Sequence, residues 1–233
     1  MNIKERPRVA IVNYGVGNVF SVKQACQING LEGIITYSPN EIRLADAVIL
    51  PGVGAFGTAM KTLKSLHLID LIKEAIFSSK PFLAICLGMQ LLMERSYEFG
   101  EHRGLGIIKG SVVRFSKPKD EHGELLKIPQ VGWNTIYKPP ANKKIDTWNG
   151  TLCEGVSDNA FMYFVHSYYP ELKDGNLCLS LSRYGNIEFC SSFAYDNIFA
   201  CQFHPERSGF EGLKIYRNLA KAIKKTLKET VNA

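Results

Sequence analysis

The first ninety residues alternate short continuous apolar runs with stretches whose apolar positions recur at helical spacing. Val9–Val12, Ile34–Tyr37, Ala47–Leu50 and Phe82–Ile85 lack the in-out alternation of a half-exposed strand. Such runs suit strands buried on both faces of a parallel sheet. Between them, Val19–Ile28 (closed by Asn29-Gly30), a short segment at Glu41–Leu44, Thr58–Leu66 and Leu68–Phe77 read as helices. Leu87–Arg95 contains helix formers and no breaker beyond Gly88, which predicts a further helix. This alternation implies a parallel sheet with helices on both faces.

Beyond Arg95 the rhythm changes. Ser111–Phe115, Trp133–Tyr137, Phe161–His166, Leu177–Ser182, Glu188–Ala194 and Ile198–Phe203 read as strands, with turn signals at Tyr184-Gly185-Asn186 and Asp196-Asn197. The C-terminal half therefore adds mixed or antiparallel strands. A last helix carries Leu213, Leu219, Ile223 and Leu227 at helical spacing, with Lys214, Lys221, Lys224, Lys225 and Lys228 as a solvated face. Ser116–Glu124 and Pro139–Asn149 are polar loops with no assignable role.

Composition narrows the class. The 233 residues are 45% hydrophobic, with no repeat or low-complexity linker, so one domain spanning 1–233 is expected. The charged N-terminus has no apolar segment after it, so it is not read as a signal peptide, and no apolar run approaches membrane-spanning length. Six cysteines, at 26, 86, 153, 178, 190 and 201, lie scattered without a Cys-x-x-Cys, which suits a reduced cytoplasmic protein. No His/Cys/Asp cluster has metal spacing, and no metal or other cofactor is expected. The net charge of +6 comes partly from the last helix, and no motif for reading nucleic acid accompanies it. Gly15 and Gly17 follow the first strand, but the third glycine of a dinucleotide fingerprint is missing.

Chemistry concentrates at Ala84-Ile85-Cys86-Leu87-Gly88. Small residues two positions to either side let a strand reverse sharply into a helix, as in a nucleophile elbow. The turn would present the sulfur at a helix N-terminus, where unpaired N–H groups favour negative charge. A buried structural cysteine fits the stretch equally well. A nucleophilic thiol needs a base and the base an orienting group. Gln202-Phe203-His204-Pro205-Glu206 supplies both if the segment is extended, since residues two apart then point to the same side. Pro51-Gly52-Val53-Gly54 follows another strand end, where ligands of open α/β sheets gather, and is also an ordinary Pro-Gly turn by composition.

Together these stretches resemble the class I (triad) glutamine amidotransferases. The resemblance is carried by Ala-Ile-Cys-Leu-Gly-Met-Gln (84–90) and Gln-Phe-His-Pro-Glu-Arg-Ser-Gly (202–209). Within that family, Asn-Tyr-Gly-Val-Gly-Asn (13–18), Leu-Pro-Gly-Val-Gly-Ala-Phe (50–56), Val-Gly-Trp-Asn (131–134) and Tyr-Phe-Val-His-Ser-Tyr (163–168) resemble the glutaminase branch of imidazole glycerol phosphate synthase. The resemblance implies a flavodoxin-like fold with a mixed, mostly parallel central sheet. It implies a triad of Cys86, His204 and Glu206, and an oxyanion hole from Gly52 or Val53 with Leu87. Glutamine would be held by Gln90, Glu98 and the Ser167-Tyr168 backbone. Asn18, Trp133, Asn134, Tyr163 and Arg207 would face a (β/α)₈-barrel cyclase that receives the ammonia in a heterodimer. Without the resemblance, Trp133 reads as core and Gln90 equally as a solvated helix residue; His166 reads as a packed histidine.

Three positions depart from the family's usual residues: Asn13 stands where Asp is common, Ala84 where Gly is, and Arg207 where Lys is. None removes a catalytic group. Two other functions compete. One is the same glutaminase feeding another synthase, such as a sugar amidotransferase of surface polysaccharide synthesis. The other is a binding subunit that no longer hydrolyses glutamine, against which the intact triad residues argue.

Overall fold

The computed structural model describes residues 6–140 and 148–231. The N-terminal half runs β1 (Arg8–Val12), α1 (Val19–Ile28), β2 (Glu32–Thr36), α2 (Pro39–Leu44), β3 (Ala47–Leu50), α3 (Phe56–Ser65), α4 (Leu68–Phe77), β4 (Phe82–Ile85) and α5 (Leu87–Leu91). There follow β5 (Met93–Ser96), β6 (His102–Arg103), β7 (Ile108–Arg114), β8 (Gln130–Ile136), β9 (Ala160–His166) and β10 (Tyr168–Leu172). The chain closes with β11 (Cys178–Tyr184), β12 (Ile187–Tyr195), β13 (Ile198–Cys201) and α6 (Gly209–Val231).

The central sheet has the order β11-β12-β13-β4-β3-β1-β2. Its β2, β1, β3, β4 and β13 are parallel, while β12 and β11 continue it antiparallel. Strands β3, β4 and β13 are buried at every residue, which is why their sequences are unbroken apolar runs. Successive residues go to opposite layers: Val9 and Ile11 join the core that includes residues of α1 and α6, Ala10 and Val12 the core that includes residues of α2, α3 and α4. Segments between the two halves build a smaller sheet, β10-β7-β5-β6, and the β8-β9 ribbon.

Three expectations need correction. The helix predicted over Leu87–Arg95 stops at Leu91, and Met93–Ser96 is a strand paired with β7 and β6. The carbonyls that would continue the helix are taken elsewhere: Leu91 by the Leu105 amide, Leu92 by Ile107 and Ile108, Met93 by Gly106. Tertiary pairing thus overrides local propensity. Strand β10 contains Pro170 and was not foreseen; it pairs antiparallel with β7. On α6 the buried stripe is Ile215, Tyr216, Leu219, Ala220 and Ile223, whereas Leu227 is exposed.

The loop at Ser116–Glu124 folds back through a Lys119–Leu125 bridge and is tied to the β11-β12 turn, where the Asn186 side chain accepts the Lys119 N–H. Of Pro139–Asn149, residues 141–147 lie outside the described residues, and Trp148 is buried with its indole N–H on the Leu179 carbonyl. All six cysteines are free. Among the described residues no helix is long and apolar enough to cross a membrane.

Candidate active site

Because the five central strands are parallel, their carboxyl ends lie on one edge, and the loops that build the site leave there: 13–18 after β1, 51–55 after β3, the turn at Cys86 after β4, and 202–204 after β13. Parallel β13 and β4 run side by side in the register Cys201–Ile85, which brings residues more than a hundred positions apart to one point.

Cys86 sits on a strained turn, with φ 54° and ψ −109°. A non-glycine residue there costs about 1–3 kcal/mol and needs surrounding structure to hold it. Part of that restraint is the Cys86 N–H, which donates to the Cys201 carbonyl at 2.7 Å. Gly88 lets α5 settle on the end of β3: a Cβ there would stand 1.9 Å from the Leu50 carbonyl oxygen.

His204 follows β13, its N–H held by the Tyr163 carbonyl at 2.9 Å and its carbonyl by the Ser208 hydroxyl at 2.6 Å. Pro205–Arg207 is a single 3₁₀ turn, not an extended segment. Glu206 therefore reaches His204 by curling back, with Oε1 2.8 Å from Nδ1. The pairing was expected; the backbone that makes it was not. A carboxylate accepts, so Nδ1 carries the hydrogen and the other nitrogen, Nε2, is left for the sulfur. Both side chains are almost wholly buried, at 6% and 2% exposure. Burial alone would lower the histidine pKa, but the Cys86 charge, hydrogen bonding to it and Glu206 outweigh that and raise it to about 10. Both neighbours thus favour the imidazolium. Its Nε2 has no well-formed hydrogen bond, although the sulfur is near enough to act on its charge, as is common before substrate tightens such contacts.

The loop after β3 passes directly over the elbow. The buried Tyr14 hydroxyl donates to the Pro51 carbonyl at 2.9 Å, and the Leu87 N–H donates to the Gly52 carbonyl at 3.3 Å. The N–H of Leu87, expected to be an oxyanion donor, is therefore occupied by the loop itself. The peptide unit whose carbonyl lies there carries the Val53 N–H on its other side. Gly52 cannot gain a Cβ, which would fall 2.3 Å from the Tyr14 oxygen. Gly54, at φ +107°, makes the turn that follows.

A cavity of about 480 Å³ opens over Cys86, lined by Val53, Gln90, Glu98, His166 and Tyr168 among others. Gln90 is buried, not solvated. Its Nε2 donates to the Tyr168 carbonyl (2.9 Å) and to Gln202 Oε1 (3.0 Å). Glu98 accepts the Phe56 N–H and so caps α3, immediately after the glycine loop. The carbonyls of Ser167 and Tyr168 are engaged internally, by the Phe115 N–H and by Gln90 with His166 Nδ1. His166 is buried against Phe115, Phe164 and Phe189, and burial pushes its pKa down to about 4.

The five expected interface residues divide. Trp133 and Tyr163, opposite one another on β8 and β9, meet edge to face with centroids 6.1 Å apart, and the Arg207 guanidinium lies over the Tyr163 ring. Trp133 is 57% exposed, so it is not core. Asn134, the next residue, points to the other face by strand alternation and donates to the Arg183 carbonyl. Asn18 is exposed and caps α1 by accepting the Ser21 N–H. Sequence reasoning missed Gln202. It is wholly buried, and its Nε2 lies 3.5 Å from the Cys86 sulfur.

Comparison with known proteins places this geometry. Residues 11–222 match the model of the class-I glutamine amidotransferases, and the chain belongs to that family. At the level of individual proteins, it is 46% identical over 213 residues to the imidazole glycerol phosphate synthase subunit HisH of Sulfurimonas denitrificans, covering 91% of this chain and 97% of that one. The HisH subunit of Aquifex aeolicus is 41% identical over 221 residues, covering 94% and 98%. Among solved structures, a glutamine amidotransferase of Thermotoga maritima shares the fold at a TM-score of 0.60 and 18% identity, covering 97% of this chain and 86% of that one. A chain of PurLQS from the same organism does so at 0.64 and 18%, covering 96% and 100%.

Proposed function

We propose that this chain, as one glutaminase domain over residues 1–233, is the glutaminase subunit of an imidazole glycerol phosphate synthase in histidine biosynthesis. The observation that carries the chemistry is the alignment of Cys86, at a strained elbow, with a buried His204 bonded to Glu206 at 2.8 Å. The choice of synthase rests on identity above 40% to HisH subunits along nearly the whole chain.

In this reading the Cys86 sulfur attacks the side-chain carboxamide carbon of L-glutamine. The carbon–nitrogen bond breaks as His204 passes its proton to the leaving nitrogen, giving ammonia and a glutamyl thioester. His204, now neutral, takes a proton from water. The hydroxide displaces the sulfur and releases glutamate, and His204 is charged again. Glu206 fixes the imidazole and stabilises its cation. Gln90 and Glu98 hold the amino-acid end beside Ser167 and Tyr168. Turning the Gly52–Val53 peptide would replace the plugging carbonyl by the Val53 N–H and free the Leu87 N–H, giving the two oxyanion donors.

Ammonia in neutral water is mostly ammonium, which is not nucleophilic, so the product is passed directly to a (β/α)₈-barrel cyclase. Asn18, Trp133, Tyr163 and Arg207 contribute to that face. This reading is supported by the exposed Trp133 ring, set edge to face against Tyr163, over which the Arg207 guanidinium lies. The location is cytoplasmic. The test is glutamine turnover by the purified chain alone, with its cyclase, and with the cyclase carrying its nucleotide ligand. Turnover rising in that order supports the reading. A chain that ignores this cyclase but responds to another ammonia-using synthase would overturn the choice of partner and leave the triad standing.

A further inference from the structure

Gln202 stands in the second signature but does not touch the cavity. It is fully buried where β13 leaves the sheet, and its N–H is fixed by the Ser191 carbonyl at 2.8 Å. The adjacent strand ends in Ile85, paired with Cys201, so the next residue on each chain places Gln202 beside Cys86. The side chain joins two partners: Oε1 accepts from Gln90 at 3.0 Å, and Nε2 lies 3.5 Å from the Cys86 sulfur.

The direction of this relay is determined by its far end. The Tyr168 carbonyl can only accept, so the atom of Gln90 that faces it, at 2.9 Å, is the nitrogen. That same nitrogen faces Gln202, so Gln202 presents its oxygen to Gln90 and its NH₂ to the sulfur. A carboxamide that Gln90 did not hold could turn over and offer the sulfur an oxygen instead.

We propose that Gln202 is a positioning residue for the nucleophile, its locked NH₂ donating to the Cys86 sulfur and favouring the anionic sulfur that attacks the carboxamide. Donation to a charged acceptor stabilises the charge, and a buried donor does so without solvent screening. The alternative sulfur contact, the Val165 carbonyl at 3.9 Å, can only receive a hydrogen and so favours the thiol.

The other groups around the sulfur do not replace this donor. His204, backed by Glu206, supplies a cation from the β13 side. Tyr14 beneath the glycine loop is neutral, since burial pushes its pKa up, and His166 on β9 is neutral because burial pushes its pKa down to about 4. Burial likewise raises the pKa of Cys201, and Glu98 lies across the cavity with its carboxylate on the Phe56 N–H. The Leu87 N–H is held by Gly52. With the loop in this position, Gln202 Nε2 is the uncharged side-chain donor set against the sulfur, at 3.5 Å, alongside the His204 imidazolium.

The proposal rests on Cys86 being the nucleophile, and alkylation separates the two claims. The full-length chain is treated with iodoacetamide from pH 5 to 10, and modification of each cysteine is followed by mass spectrometry. Wild-type Cys86 reacting no faster than the partly buried Cys178 or Cys190 would overturn the nucleophile itself. Gln202→Glu keeps the shape but faces the sulfur with an oxygen; Gln202→Met keeps the volume without a donor; Gln90→Met frees the carboxamide without altering the strand. In each variant that retains wild-type circular dichroism, the alkylation profile of Cys86 should move about one pH unit higher, making modification near neutral pH about tenfold slower. The shift should be smallest in Gln90→Met. Alkylation profiles that coincide with wild type in a folded Gln202 variant overturn the relay. So does an unmoved profile in Gln90→Met should neither Gln202 variant fold.

Discussion

The Leu87 amide points at the Gly52 carbonyl, 3.3 Å away, and the same loop is gripped one residue earlier by the Tyr14 hydroxyl on Pro51. The donor that would stabilise a tetrahedral oxyanion is thus satisfied internally, by a contact long enough to be displaced. Tyr14 is the outer restraint on that loop. Tyr14→Phe removes one buried hydrogen bond, worth about 1 kcal/mol, and should raise glutaminase turnover of the isolated chain by roughly fivefold. Unchanged turnover with unchanged melting temperature would show that the Tyr14 bond does not hold the loop in place.

Val53→Pro tests the opposite state. It deletes the N–H that a turned Gly52–Val53 peptide would present, while the half-exposed Val53 side chain is not needed by the core. Loss of one oxyanion donor costs about a hundredfold to a thousandfold in turnover. That loss should appear in the cyclase complex and be slight in the already plugged isolated chain. Equal losses in both would indicate a general distortion.

The elbow stores strain at Cys86 itself. Cys86→Ala should abolish glutamine-dependent synthesis and leave synthesis from ammonium salts intact. Cys86→Gly is equally inactive, but glycine tolerates φ 54° and ψ −109° far better. Relief of part of the strain should raise its melting temperature about 2–5 °C above that of Cys86→Ala, as read by calorimetry. A glycine variant that melts below the alanine variant would mean the turn is not strained.

Much of this site could be read along the chain because its geometry is local. Small residues around Cys86 permit an elbow, and Glu206 is close enough in sequence to reach His204, although the 3₁₀ turn that brings it there was not expected. The rest depended on distant partners. Nothing near Leu92 shows that amides from 105–108 will take its carbonyl and end the helix. Nothing in Gln-Phe-His shows that Gln202 will neighbour Cys86, because that follows from the register of β13 on β4. Trp133 and Asn134 are adjacent in the motif but leave opposite faces of β8, which the motif alone does not reveal.

His204 and Glu206 should separate on substitution. His204→Asn removes the proton carrier and should be as damaging as losing Cys86, since the two act as one unit. Glu206→Gln keeps a partner for Nδ1 but removes the charge that steadies the imidazolium. Its deficit should be smaller and should appear in turnover more than in KM. A Glu206→Gln enzyme as inactive as His204→Asn would assign the carboxylate more than an orienting role.

His166 predicts acid sensitivity. Its folded pKa of about 4 lies below the ordinary value of 6.5, so the folded protein binds fewer protons than the unfolded chain between those values. Stability from this residue is complete above about pH 6.5 and lost as pH falls through about 4, at most about 3 kcal/mol. His204 has the opposite sign: its folded pKa is near 10, so its contribution is present below 6.5 and fades as pH rises through 10. Melting temperatures of wild type and His166→Gln from pH 4 to 7 should converge toward acid. Parallel curves would show that His166 does not bear this load.

Strand β13 lies in the interior of the sheet, between β4 and β12, yet it is the last strand the ribosome makes. A growing chain that has already exposed Cys86 still lacks the strand that restrains its turn, the histidine that serves it and the carboxamide at its sulfur. All three are encoded together, in β13 and the few residues after it. A chain truncated or stalled before β13 therefore carries Cys86 without the histidine, the carboxylate or the carboxamide that serve it.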